Sequence, residues 1–193
     1  MGYLKYVRQA WNNPTEAQQA LWRSRMIEWR KEPVTVRIEH PTRPDRAHSL
    51  GYKAKNGFVI VRQCVLRGGR QRPKFSRGRK PRAMRRVSII GMSHQWIAEQ
   101  RAARKYQNCE VLNSYFVAED GKRKWYEVIL IDTAHPEILA DPQLRALTKR
   151  QHTGRVFRGL TASGRRSRGL LTHKGKGAEK LRPSLRANKG RAK

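Results

Sequence analysis

Glu127 and Asp132 come nearest to a paired-carboxylate site, the arrangement that holds a divalent cation for phosphodiester hydrolysis. They stand five apart in a run that reads as a strand, where such positions face opposite sides. Asp132 also falls where the strand ends and a turn residue is expected, so capping or pairing with Lys and Arg is the expected role of both. Gly175-Lys176-Gly177 offers a phosphate loop, but no Ser or Thr follows the lysine and no strand precedes the first glycine. Histidines 40, 48, 94, 135, 152 and 173 show no HxxxH or HxH spacing, and Cys64 and Cys109 have no CxxC partner, so neither a metal site nor a disulfide framework is indicated. Ser114 and Thr161 lack a local base to activate them. No catalytic residue, metal or cofactor is expected, and the chain reads as a non-enzyme.

Positive charge is the chemistry that does recur. The 193 residues hold 44 Lys and Arg against 14 Asp and Glu, a formal net charge of +30. An ordinary domain is about a quarter charged with the signs nearly balanced. Self-repulsion on this scale opposes compaction unless a polyanion supplies the missing negative charge. Nucleic acid fits, because a phosphate backbone rewards many scattered cations through counterion release. A small acidic substrate needs only a few.

The elements that must carry these residues follow from local pattern. Asn13-Pro14-Thr15-Glu16 predicts a helix start, with a cap before a proline at N1 and a glutamate at N3. Trp22, Met26 and Trp29 then recur at helical spacing as one apolar stripe, a packing face by default and a base-stacking face by the sharper reading. Val34, Val36 and Ile38 alternate with Thr35, Arg37 and Glu39 as in a half-buried strand. Residues 40 to 55 read as loop, and Phe58 to Val65 as a strand. Ser93 caps a helix over His94 to Tyr106. Two more strands, 110–118 and 124–131, flank Glu119-Asp120-Gly121-Lys122, where Asp-Gly predicts a type I′ turn. Asp141-Pro142 opens a short helix through Leu147. From Cys109 to Thr148 seven acids meet four bases, so half of all the acids lie in this one block.

Two stretches lack such patterning. Residues 67–86 hold ten bases and no acid, and residues 149–193 hold fifteen bases and the single acid Glu179. Their apolar residues are too few to offset the entropy of ordering. Glycines at 154, 159, 164 and 169 recur every five residues, which reads as local composition. The expected organisation is a helical segment at 1–33, an α+β core from 34–66 and 87–148, a basic internal arm at 67–86 and a basic Gly/Arg-rich arm at 149–193. The longest apolar stretch, Val128 to Ile131, is far below the roughly 18 to 20 residues that span a bilayer, so a soluble, unexported protein of a reducing compartment is expected.

One stretch is distinctive beyond its composition. Asp45-Arg46-Ala47-His48-Ser49-Leu50-Gly51-Tyr52-Lys53-Ala54-Lys55-Asn56-Gly57-Phe58, continuing to Arg67-Gly68-Gly69, resembles the signature of the archaeal and eukaryotic large-subunit ribosomal protein family L15e. Val111-Leu112-Asn113-Ser114-Tyr115, Glu127 to Asp132 and Arg158-Gly159-Leu160-Thr161 through Leu170 are similar to the same family, as are Tyr3 to Trp11 and Pro41 to Asp45. His48 stands where the family usually has arginine. The end, residues 175–193, is more like the archaeal branch.

The resemblance implies a small α+β domain with an antiparallel four-stranded sheet and packed helices, carrying long basic extensions without a core of their own. It also implies a structural, cytoplasmic ribosome component that binds large-subunit rRNA, touches neighbouring large-subunit proteins, and needs no membrane or homo-oligomer. Arg43, Arg46, Tyr52, Lys53 and Lys55 are then the expected RNA-binding platform. In the first arm the expected contacts are Arg67, Arg70, Arg72, Lys74, Arg77, Arg79, Lys80, Arg82, Arg85 and Arg86. In the second they are Arg155, Arg158, Arg165, Arg166, Arg168, Lys174, Lys176, Arg182 and Arg186. A DNA-compacting protein would share the charge, but no helix-turn-helix or zinc-finger pattern is visible. An RNA-modifying enzyme centred on the acidic block needs a cofactor motif that is absent.

Overall fold

A computed structural model describes residues 2–71, 77–78, 87–88 and 91–171. In chain order the elements are α1 (Leu4–Asn12), α2 (Glu16–Lys31), β1 (Thr35–Ile38), α3 (Pro44–Ser49), β2 (Phe58–Leu66), β3 (Arg70–Gln71), β4 (Val87–Ser88), α4 (His94–Lys105), β5 (Cys109–Glu119), β6 (Arg123–Asp132), α5 (Pro136–Ala140), α6 (Pro142–Thr148) and α7 (Ala162–Ser167). The four long strands form one antiparallel sheet ordered β1-β2-β6-β5, and the short β3 and β4 pair with each other. No helix among the described residues is long and apolar enough to cross a membrane.

The sheet is covered on both faces. Trp125 and Ile129 of β6 meet Trp29 of α2, Ala47 of α3 and Tyr115 and Val117 of β5, with Trp11 of α1 packed against them. On the other face Val128 and Leu130 meet Val61, Val111 and, from α4, Trp96 and Ala102. Beyond the end of β6, Ile131 packs on Ile138 of α5 and Leu144 of α6. The α+β fold with a four-stranded antiparallel sheet agrees with the expectation.

Local differences have local causes. The α2 cap is Thr15, which accepts from Gln18 N while the Gln18 side chain accepts from Thr15 N, so the capping box lies two residues later than Asn13. Within the expected loop at 40–55, Pro44 sits in the first turn of α3, where its missing N–H costs nothing. The β5–β6 turn is closed by Asp120, whose carboxylate accepts from Lys122 N at 2.7 Å and from Arg123 N. Gly121 stays out of the left-handed region, so the side chain does what positive φ would do in a type I′ turn.

The largest difference lies after Thr148. Residues 150–171, read from composition as part of an arm, lie against the core: Val156 is fully buried, and Trp96 Nε1 donates to its carbonyl at 2.7 Å. Gly159 has φ +63°, and a Cβ on Gly164 would stand 2.7 Å from the Gly159 Cα, so two of the recurring glycines cross at contact distance. A few buried anchors thus hold a segment that hydropathy alone gives no reason to dock. Replacing Trp125 with Ala should cost about 3 to 5 kcal/mol, since its ring is 1% exposed and packs on Trp29. Denaturant unfolding of the purified chain checks this; a loss below about 1 kcal/mol would show that this face is not closed.

Candidate nucleic-acid interface

Acidic side chains in the 109–148 block are consumed by the fold. Glu110 accepts from Gly154 N at 2.7 Å, and Glu119 pairs with Lys124 at 2.9 Å. Asp120 closes its turn and pairs with Arg30 at 2.9 Å, while Asp132 accepts from Ala134 N at 3.0 Å as a turn residue should. Glu137 accepts from Asn56, and Asp141 caps α6 and pairs with Lys53 at 2.6 Å. Glu127 differs from its expected role: it pairs with no Lys or Arg among the described residues, but lies fully buried and accepts from Thr42 N at 3.1 Å and from the Tyr115 hydroxyl. A carboxylate in the middle of a strand covered on both faces is out of reach of solvated cations.

The expected RNA-binding residues divide into two groups. Several serve the fold: Arg43 stacks 4.6 Å from the Trp11 ring and donates to Asp45 at 3.4 Å, Lys53 holds Asp141, and Tyr52 packs edge-on against Phe58. Arg155 donates to the Val111 and Leu160 carbonyls, and burial pulls its pKa down. Arg158 donates to the Gln151 and Thr153 carbonyls, Arg168 to Gly159 and Arg158, and Arg67 to Asp120. Others stand exposed with no acidic partner among the described residues: Arg46, Lys55, Arg77, Arg165 and Arg166. Arg70 lies in β3. Arg72, Lys74, Arg79, Lys80, Arg82, Arg85, Arg86, Lys174, Lys176, Arg182 and Arg186 fall outside the described residues. The tryptophan stripe is a packing face: Trp29 is buried, and Trp22 stacks on Trp11 at 4.3 Å.

Arg46 and Arg166 share a cleft of about 560 Å³ with Arg8, Arg43 and Asp45. The cleft runs along β5, the sheet's edge strand, with α1 and α3 on one side and α7 on the other. Four arginines against one aspartate leave it at +3. Composition gave no sign of Arg8 or of Phe116, a cleft-lining residue that is 41% exposed. An outward aromatic on the last strand of a sheet was the signal available, and it is a weak one.

The sequence model of the family described as Ribosomal L15, the ribosomal L15e family, matches residues 2–188. The chain belongs to the L15e family of ribosomal proteins. That family is a structural, non-enzymatic one, and its members are constituents of the large ribosomal subunit. A ribosomal location and rRNA and ribosomal-protein partners follow from membership.

Two buried carboxyls stiffen this L15e core around the cleft. Glu99 on α4 accepts from the Thr161 hydroxyl at 2.6 Å and from the Ser114 hydroxyl, tying α7 and β5 to one helix. Burial pushes the pKa of Glu99 and Glu127 up against the opposing pull of these hydrogen bonds. A carboxyl whose pKa is higher folded than unfolded stabilises the fold fully below its ordinary value, near 4.5, and less as pH rises through the folded value. Glu127→Gln removes one such titration while its amide oxygen can keep the Thr42 and Tyr115 bonds. The melting temperature of the wild type relative to the variant should therefore fall as pH rises above about 4.5, a slope that a constant offset from the new amide cannot mimic. Parallel curves between pH 4 and 8 would sink this assignment.

Proposed function

We propose that this chain binds and stabilises large-subunit rRNA by charge neutralisation, its core docked on the RNA surface and its basic arms threaded between rRNA helices. The observation that carries the reading is the exhaustion of negative charge: the acids of the 109–148 block are held in caps, ion pairs and buried hydrogen bonds, while Arg46, Lys55, Arg77, Arg165 and Arg166 have no acidic partner among the described residues. The arms, at +10 for residues 67–86 and +14 for residues 149–193, hold no acid but Glu179. The surplus must be met from outside, and a folded RNA presents phosphates at the required density. Arginine's planar fork of donors and glycine's permissive backbone suit a crowded phosphate surface. Most contacts are then to phosphate and sugar, which position the protein without specifying sequence.

A cytoplasmic ribosome of archaeal type fits the likeness at residues 175–193. Neighbouring large-subunit proteins are partners in this reading, and self-association has no part in it. In lysate sedimented through sucrose before and after a high-salt wash, the protein should stay with large subunits, because its arms are enclosed by RNA as well as attracted by it. A merely charge-attracted basic protein making about six to ten phosphate contacts would lose roughly 10³ to 10⁵ in affinity between 50 and 200 mM salt. Arg165→Glu with Arg166→Glu should lower retention after the wash. Release of the wild type at moderate salt, or sedimentation with the chromosome, would overturn the reading.

A further inference from the structure

The cleft along β5 differs from the rest of the basic surface in what stands among its cations. Arg43 is committed to Trp11 and Asp45, and Arg8 reaches the same carboxylate at 4.0 Å. Arg46 and Arg166, on opposite walls, are exposed and have no acidic partner among the described residues. Phe116, in the lining of the same cleft, is 41% exposed, its ring braced by Tyr126 at 5.8 Å and 71°. Asn113, also on the wall, accepts from Ser114 N through Oδ1 at 2.9 Å, which leaves its Nδ2 as a donor not used by that bond.

Phosphate alone explains the arginines but not the ring. A duplex presents phosphates and base edges, and its base faces are stacked on one another; only a splayed-out base offers a face to an aromatic side chain. Stacking of this kind tolerates any base, since every base has a π-face. The amide supplies a donor for a base edge or a 2′-hydroxyl. A volume of about 560 Å³ lies in the range of sites that hold one small molecule. Because β5 is an edge strand, the cleft opens at the side of the sheet and a chain can pass along it.

We propose that this cleft takes one unstacked nucleotide of rRNA, its base against Phe116 and its flanking phosphates on Arg46 and Arg166. The inference rests on the rRNA-binding reading above and adds to it a defined site for single-stranded RNA.

Intact large subunits carrying the protein would be irradiated with ultraviolet light, digested with nuclease and trypsin, and analysed by mass spectrometry. The tryptic peptide 106–122 should carry a one-nucleotide adduct on Phe116. In subunits carrying Phe116→Leu, the adduct should disappear while the protein still sediments with the subunit, and one rRNA base should gain reactivity toward base-modifying reagents. Peptide 106–122 recovered without adduct, together with no change in base reactivity in the variant, would overturn the cleft while adducts on arm peptides left the rRNA reading standing. Absence of the wild-type protein from the subunit would overturn both.

Discussion

β6 carries seven consecutive buried residues, Trp125 to Ile131, and a strand buried on both sides obliges the chain to supply helices for both faces of its sheet. Everything else follows from that demand. One face takes Trp29 and Ala47, which draws α2 and α3 over the strand, and α1 follows because Trp11 stacks on Trp22 and under the Arg43 guanidinium. The other face takes Trp96 and Ala102, which fixes α4. At β5, where the sheet ends, α1 and α3 from one face and α7 from the other line the basic cleft.

A second dependence runs through Glu99. Its carboxyl is fully buried, yet it is the group on which α4, β5 and the start of α7 converge, through Ser114 and Thr161. Burying an acid is costly unless it is hydrogen-bonded, and here two hydroxyls meet it. Together with the Trp96–Val156 hydrogen bond, this holds residues 156–167, and hence Arg165 and Arg166, in a fixed relation to the sheet. Arg155, half-withdrawn into the same region, donates from its two terminal nitrogens to the Val111 and Leu160 carbonyls. Basic residues of this segment therefore differ: Arg155 is drawn into the fold, while Arg165 and Arg166 stay exposed.

The sheet was legible because β-branched and aromatic runs with turn signals between them leave few alternatives; 58–65, 110–118 and 124–131 fall within a residue or so of the observed strands. The cap at Ser93 and the Asp141-Pro142 start were legible for the same local reason. The docking of residues 150–171 was not, because it depends on side chains drawn from α4 and β5, and a glycine crossing such as Gly159–Gly164 looks like composition until the chain is folded. The cleft was hidden for a related reason. Its walls come from α1, α3, α4, β5 and α7, and irregular register between Val111 and Asn113 and between Phe116 and Ala118 breaks the alternation by which an outward Phe116 could be recognised.

Charge and fold are separable here in a way that bears on assembly. An average acid in a +30 chain would be drawn to any of many cations, and a flexible ion-pair network of that sort would compete with RNA for the same arginines. Several carboxyls of this core avoid that competition by taking partners other than Lys and Arg: backbone N–H groups at Asp132 and Glu110, hydroxyls at Glu99 and Glu127. Among the cations that are used, Arg62 has a second structural contact: it pairs with Glu32 at 2.7 Å and lies 4.5 Å from the Trp29 ring. Arg46 and Arg166, exposed and without an acidic partner among the described residues, have no ion pair to break before meeting an outside anion.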